Sequence, residues 1–174
     1  MEKVKLIGIS FILLGCTVSG FIIDGWERKR IKELENFIYI FELLKRDIDY
    51  QLTPLREACK AVIRFASRDV GKVFGNFEKQ MAEKTSWNIE EMWQNAIEEE
   101  KQNLYLKEED YSVLNGFGKA CGYLDKEMQE KNIEMVIASL KARTLDAKQH
   151  YDKNTKLNKY LGFFIGACIS IFLI

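Results

Sequence analysis

The feature that most constrains this chain is where its charge is confined. Lysine plus arginine number 26 and aspartate plus glutamate number 26, yet no charged residue occurs from Leu6 to Ile23 or from Tyr160 to Ile174. Two uncharged apolar ends flanking a densely charged middle are not expected to share one aqueous core; they are expected to belong to a bilayer. The first segment, LIGISFILLGCTVSGFII, has eighteen residues. As a helix it spans about 27 Å against roughly 30 Å of hydrocarbon. Residues 1–23 are therefore expected to form an N-terminal transmembrane helix. The last fifteen residues, YLGFFIGACISIFLI, reach only about 22 Å. They predict a short C-terminal membrane helix over 160–174, which crosses fully only where the bilayer thins or flanking lysines snorkel.

Two other readings of the N-terminal segment are open. A cleaved signal peptide fits the basic start at Lys3 and Lys5, but no small-x-small cleavage site precedes a polar sequence. The Leu13-Leu14-Gly15-Cys16 stretch has the outline of a lipoprotein cleavage box, but Leu14 is large for its place and the residues after Cys16 are largely apolar. In the C-terminal segment Gly162, Gly166 and Ser170 recur every four residues, and Gly15 and Ser19 make a similar patch in the first. Such small-residue stripes let membrane helices approach closely, so these five are candidates for helix packing. Arg28, Lys29, Arg30 and Lys32 follow the first segment, and Lys153, Lys156 and Lys159 precede the second. Basic flanks are retained on the cytoplasmic side, which places the middle of the chain, residues 24–159, in the cytoplasm.

That middle is expected to be wholly helical. It holds the chain's one proline and lacks clustered turn residues at strand spacing. Ile31, Leu34, Phe37, Ile38, Phe41, Leu44, Ile48 and Leu52 recur at helical steps and predict a long amphipathic helix. Thr53 and Pro54 read as an N-cap and first helical residue of a second helix with Leu55, Ala58, Cys59, Val62 and Ile63 inward. Gly71 and Gly75 are expected to interrupt the next stretch, leaving a short stripe of Phe74, Phe77 and Met81. Asn88 and Glu91 have the spacing of a capping box, with Met92, Trp93, Ala96 and Ile97 behind them. The stretch from Lys107 to Tyr123 turns Tyr111, Leu114, Phe117 and Cys121 inward. Its glycines 116, 118 and 122 each cost about 1 kcal/mol of helix propensity, which implies a packing reason for them. Asp125 can cap a last helix whose apolar positions are Met128, Ile133, Val136, Ile137, Leu140, Leu145 and Tyr151. The fold class is all-α: a bundle of about five to six helices with membrane helices at both ends.

Several function classes are disfavoured. Equal positive and negative charge leaves no field to attract nucleic acid. The four cysteines stand apart, without Cys-x-x-Cys or Cys/His spacing, so neither zinc nor a disulfide framework is signalled. His150 is the single histidine and sits in a polar stretch. The runs Glu98–Glu100 and Glu108–Asp110 read as solvated surface, because successive helix residues face different ways. The clustered glycines do not follow a strand, so no nucleotide-binding fingerprint is present. No catalytic residue, metal ligand or cofactor is expected.

The order of segments resembles the stage III sporulation protein AB family of endospore-forming bacteria. The resemblance rests on KLIGISFILLG, on ELENFIYIFELLKRDIDYQLTPLREA with Thr53, Pro54, Leu55, Glu57 and Ala58, on Leu114-Asn115-Gly116-Phe117-Gly118, on Gly122-Tyr123-Leu124-Asp125 with Gln129, and on Leu161-Gly162. It implies a membrane subunit, on the mother-cell side in the outer forespore membrane, of the channel complex that links mother cell and forespore. The implied bundle is similar to the cytoplasmic domains of the platform protein in type II secretion and type IV pilus machines. The implied partners are other membrane subunits of the channel and a cytoplasmic ATPase; self-association into a homo-oligomer is a further candidate. The matched positions are expected to be structural or interface residues, with Cys121 standing where leucine is expected. The alternative is a membrane-anchored helical adaptor or regulator outside any secretion-like machine.

Overall fold

The structure is a computed structural model of the 174-residue chain. It describes residues 25–48, 53–84, 88–121 and 126–173, with side chains described up to residue 153 except for Lys126 and Gln129. Among the described residues there are α-helices and two 3-10 turns and no strands. The helices are α1 (residues 25–48), α2 (Leu55–Val62), α3 (Arg68–Glu83), α4 (Ile89–Glu100), α5 (Glu108–Cys121) and α6 (Lys126–Leu173). The all-helical expectation holds. Contacts divide the chain into a bundle, Arg30–Leu145, and a second unit made by the two ends, Met1–Lys29 with Asp146–Ile174.

The bundle closes around the stripe that periodicity predicts on α1. Leu34, Phe37, Phe41 and Leu44 are fully buried, and Ile40, which the stripe's spacing also reaches, joins them. Against them pack Val70, Val73, Phe74 and Phe77 of α3, Trp93 and Ala96 of α4, Leu114 and Phe117 of α5, and Ile133 and Leu140 of α6. Each large side chain so buried is worth about 1.5–3 kcal/mol relative to exposure.

Local departures from expectation have simple causes. Pro54 is the half-in residue before α2 and not its first helical residue: its ψ of 140° is extended while its carbonyl accepts the Ala58 N–H at 3.0 Å. Leu55 and Ile63 are only half-buried, and Ala58, Cys59 and Val62 form the buried face. Gly71 and Gly75 do not interrupt α3, which runs unbroken for 16 residues. Its apolar stripe of Val70, Val73, Phe74 and Phe77 is buried firmly enough to carry the propensity cost of two glycines. The helix ends instead at Lys84, a left-handed residue with φ of 50° whose N–H returns to the Gln80 carbonyl. The Asn88 cap forms, its side chain accepting the Glu90 N–H at 2.9 Å. On α6, Met128 and Leu145 face outward, 47% and 59% exposed. Each lies five residues from a core position, Ile133 or Leu140, which is about 140° around a helix. Thr144 takes an inward position in their place, its hydroxyl donating to the Leu140 carbonyl at 2.8 Å.

In the unit of the two ends, Arg28 hydrogen-bonds the Tyr151 hydroxyl and stacks 5.4 Å from its ring centroid, and Ala147 is buried. The backbone of α6 is helical through Leu173. Among the described residues no helix is long and apolar enough to cross a membrane. The first apolar segment with Gly15 and Ser19 lies outside the described residues, and at Gly162, Gly166 and Ser170 only the backbone is described.

Candidate functional site

Two constructions in the bundle carry its polar and aromatic organisation, one on residues that the sequence singles out and one that it conceals. The first is an aromatic seam. Trp93 is wholly buried, with ring centroids 4.8 Å from Phe117, 5.1 Å from Phe77, 5.3 Å from Phe74 and 6.1 Å from Phe41. Its indole N–H, which burial would otherwise leave unsatisfied, donates to the Leu114 carbonyl at 2.8 Å. This contact locks α4 to α5.

Glycine makes the approach feasible. A Cβ on Gly118 would stand 3.0 Å from Trp93 Cδ1 and 3.2 Å from the Glu90 Cα, so the α4 backbone itself occupies the space. Gly116 faces another neighbour: its Cβ would meet a Val136 methyl of α6 at 3.3 Å. The two glycines therefore admit two different helices, which accounts for their propensity cost. Phe117 between them is fully buried in the core.

The second construction is a buried ion cluster that the sequence reading misses. Asp110 is fully buried, not part of a solvated run. Arg30 grips it as a two-toothed fork, Nε to Oδ2 at 2.7 Å and Nη2 to Oδ1 at 2.9 Å, and Arg143 Nε reaches Oδ1 at 2.7 Å. The Lys107 N–H donates to Oδ2 at 2.9 Å, the reach-back of a residue in the first turn to the helix start. Arg30, expected among the basic residues flanking the membrane, is buried in this cluster. Burial alone would raise the Asp110 pKa, but hydrogen bonds from Arg30, the Lys107 amide and Arg143 outweigh it and hold the carboxylate below its usual range. Beside it, the buried Glu33 of α1 accepts the Tyr105 N–H at 2.7 Å. The cluster thus pins the loop 104–107 between α1, α5 and α6 by satisfying its backbone amides. A signal existed: Lys107 and Asp110 have cap spacing, though the run of three acids conceals which one turns inward.

Other candidates separate. Thr53 is half-buried, Glu57 exposed and Ala58 fully buried, so the second matched stretch contributes packing through Leu55 and Ala58. Gly122 and Asp125 lie outside the described residues, as does the Gln129 side chain. Cys59 and Cys121 are buried free thiols, and burial pushes both well above the ordinary thiol pKa, which keeps them protonated and unreactive. His150 is exposed, 3.7 Å from Asp146. Among the described residues no group of three His, Cys, Asp or Glu is placed to hold a metal ion. An open groove between α3 and α4 presents Glu83, Glu91, Glu98 and Glu99 with Lys79.

Comparison with known proteins agrees with this architecture. A solved structure titled stage III sporulation protein AB superposes with a TM-score of 0.66 at 27% identity, over 71% of this chain and 96% of that one. The stage III sporulation protein AB of Bacillus subtilis (strain 168) is 30% identical over 169 residues, 97% of this chain and 98% of its own length. The family profile described as stage III sporulation protein AB matches residues 5–174. The chain belongs to the stage III sporulation protein AB family.

Proposed function

We propose that this sporulation protein is a membrane platform or scaffold subunit of the channel complex between mother cell and forespore, acting by protein–protein contact and not by catalysis. Its ends sit in the outer forespore membrane, its bundle faces the mother-cell cytoplasm, and it meets a cytoplasmic ATPase and other membrane subunits. The observation that carries this reading is the extent of the family match, residues 5–174, which takes in both uncharged apolar segments as well as the bundle. The side-chain chemistry supports it. The buried carboxylate of Asp110 has both oxygens engaged by Arg30, Arg143 and a backbone amide. Such a group braces helices against one another and is poorly placed to move protons.

Deleting the gene is expected to arrest spore development after engulfment. The full chain should restore it, and a chain without residues 1–23 should not. Spores formed at normal yield without the gene would refute the proposal.

A further inference from the structure

α6 carries a second stripe, apolar except for Lys131, on the face opposite the core. Met128, Lys131, Met135, Ala138, Ala142 and Leu145 are all exposed, Met135 at 52%, and they follow one another at steps of 3, 4, 3, 4 and 3 residues. This is the a/d spacing of a coiled-coil seam. The core residues Ile133, Val136, Ile137 and Leu140 occupy other heptad positions, so the bundle leaves this seam uncovered. We infer that the outer face of α6 pairs antiparallel with the same face of a second copy of this chain.

Size and charge select that occupant and that direction. In the antiparallel register Met135 packs on Ala138 of the other copy and Met128 on Leu145, so large residues are not forced against one another at the centre. Lys131 then lies over Ala142, where its stem can pack and its ammonium reach water. A parallel pair would set Lys131 against Lys131 and leave alanine facing alanine. The same antiparallel register places Glu134 of each copy beside Lys141 of the other, two opposite-charge pairs related by the two-fold axis. Glu134 and Lys141 are each 57% exposed along the seam's flank. Within the chain they also pair with Lys45 and Glu42 of α1, so the contact extends an existing ladder of charges. The dimer does not depend on the platform role.

Charge reversal tests it on the full chain in detergent, with association followed by sedimentation equilibrium. Glu134→Lys and Lys141→Glu each turn two attractive pairs repulsive and should weaken the dimer about tenfold. The double variant recreates opposite charges across the axis and should return to within about twofold of the natural chain. An equimolar mixture of the two single variants should associate more tightly than either alone. Within one chain the double variant worsens the pairs to Lys45 and Glu42, so recovered association cannot come from them. Met135→Asp should abolish association while thermal unfolding, followed by circular dichroism, stays cooperative. A natural chain that stays monomeric, a double variant no better than the singles, or association indifferent to Met135→Asp would each overturn the inference.

Discussion

Adding one methyl group at two glycines should move stability in opposite directions. At Gly118 a Cβ stands 3.0 Å from Trp93 Cδ1, and 3.2 Å from both Trp93 Cβ and the Glu90 Cα. Trp93 has nowhere to retreat, because it is fully buried, ringed by Phe41, Phe74, Phe77 and Phe117, and tied through its indole N–H to Leu114. Overpacking of this kind costs about 1–3 kcal/mol. Helix propensity returns up to about 1 kcal/mol. Gly118→Ala should therefore lose about 1–2 kcal/mol, which in a chain of this length is a fall in Tm of about 2–8 °C. At Gly75 a Cβ meets nothing within 4 Å. Gly75→Ala receives the propensity gain without the clash, a rise of about 0.5–1 kcal/mol. Thermal unfolding of both variants in the full chain, followed by circular dichroism, reads the two signs side by side. A Gly118→Ala chain as stable as the natural one, or a destabilised Gly75→Ala chain, would refute the packing argument.

Asp110→Asn removes the charge that Arg30 and Arg143 share, and its single side-chain oxygen cannot serve both guanidinium groups and the Lys107 N–H; the change should cost about 3 kcal/mol in urea unfolding. Because the Asp110 pKa is lowered in the fold, its contribution should be complete above the ordinary carboxylate range and fade as pH falls through the depressed value. Acid unfolding of Asp110→Asn should lack that component. Lys84→Gly relieves a left-handed backbone and should stabilise by about 1 kcal/mol, measured by thermal unfolding. Cys59 and Cys121 should resist maleimide labelling in the native chain and react only on unfolding, as mass spectrometry of labelled peptides would show.

What was legible in the sequence follows from how strongly a residue's role depends on spacing alone. The α1 stripe from Ile31 to Ile48, the Asn88 cap and the inward set of α5 are local patterns, and the structure keeps them; Leu52 lies outside the described residues. The glycines at 116 and 118 announced a packing role through their cost, but the choice of Val136 for one and Trp93 for the other depends on tertiary placement. Asp110 escaped because its neighbours Glu108 and Glu109 are exposed, and only the approach of Arg30 and Arg143 from distant helices distinguishes it. Gly71 and Gly75 misled because propensity is weaker than the burial of the stripe on either side of them. Met128 and Leu145 misled because α6 is apolar on two faces, and periodicity cannot say which one the bundle takes.

The platform reading is tested most directly by purifying the full chain from detergent-solubilised membranes of sporulating cells and identifying what travels with it. The chain should be found in the membrane fraction, and a cytoplasmic ATPase and other membrane subunits should co-purify in stable ratio. Recovery of the chain from the soluble fraction, or from membranes without those partners, would contradict it.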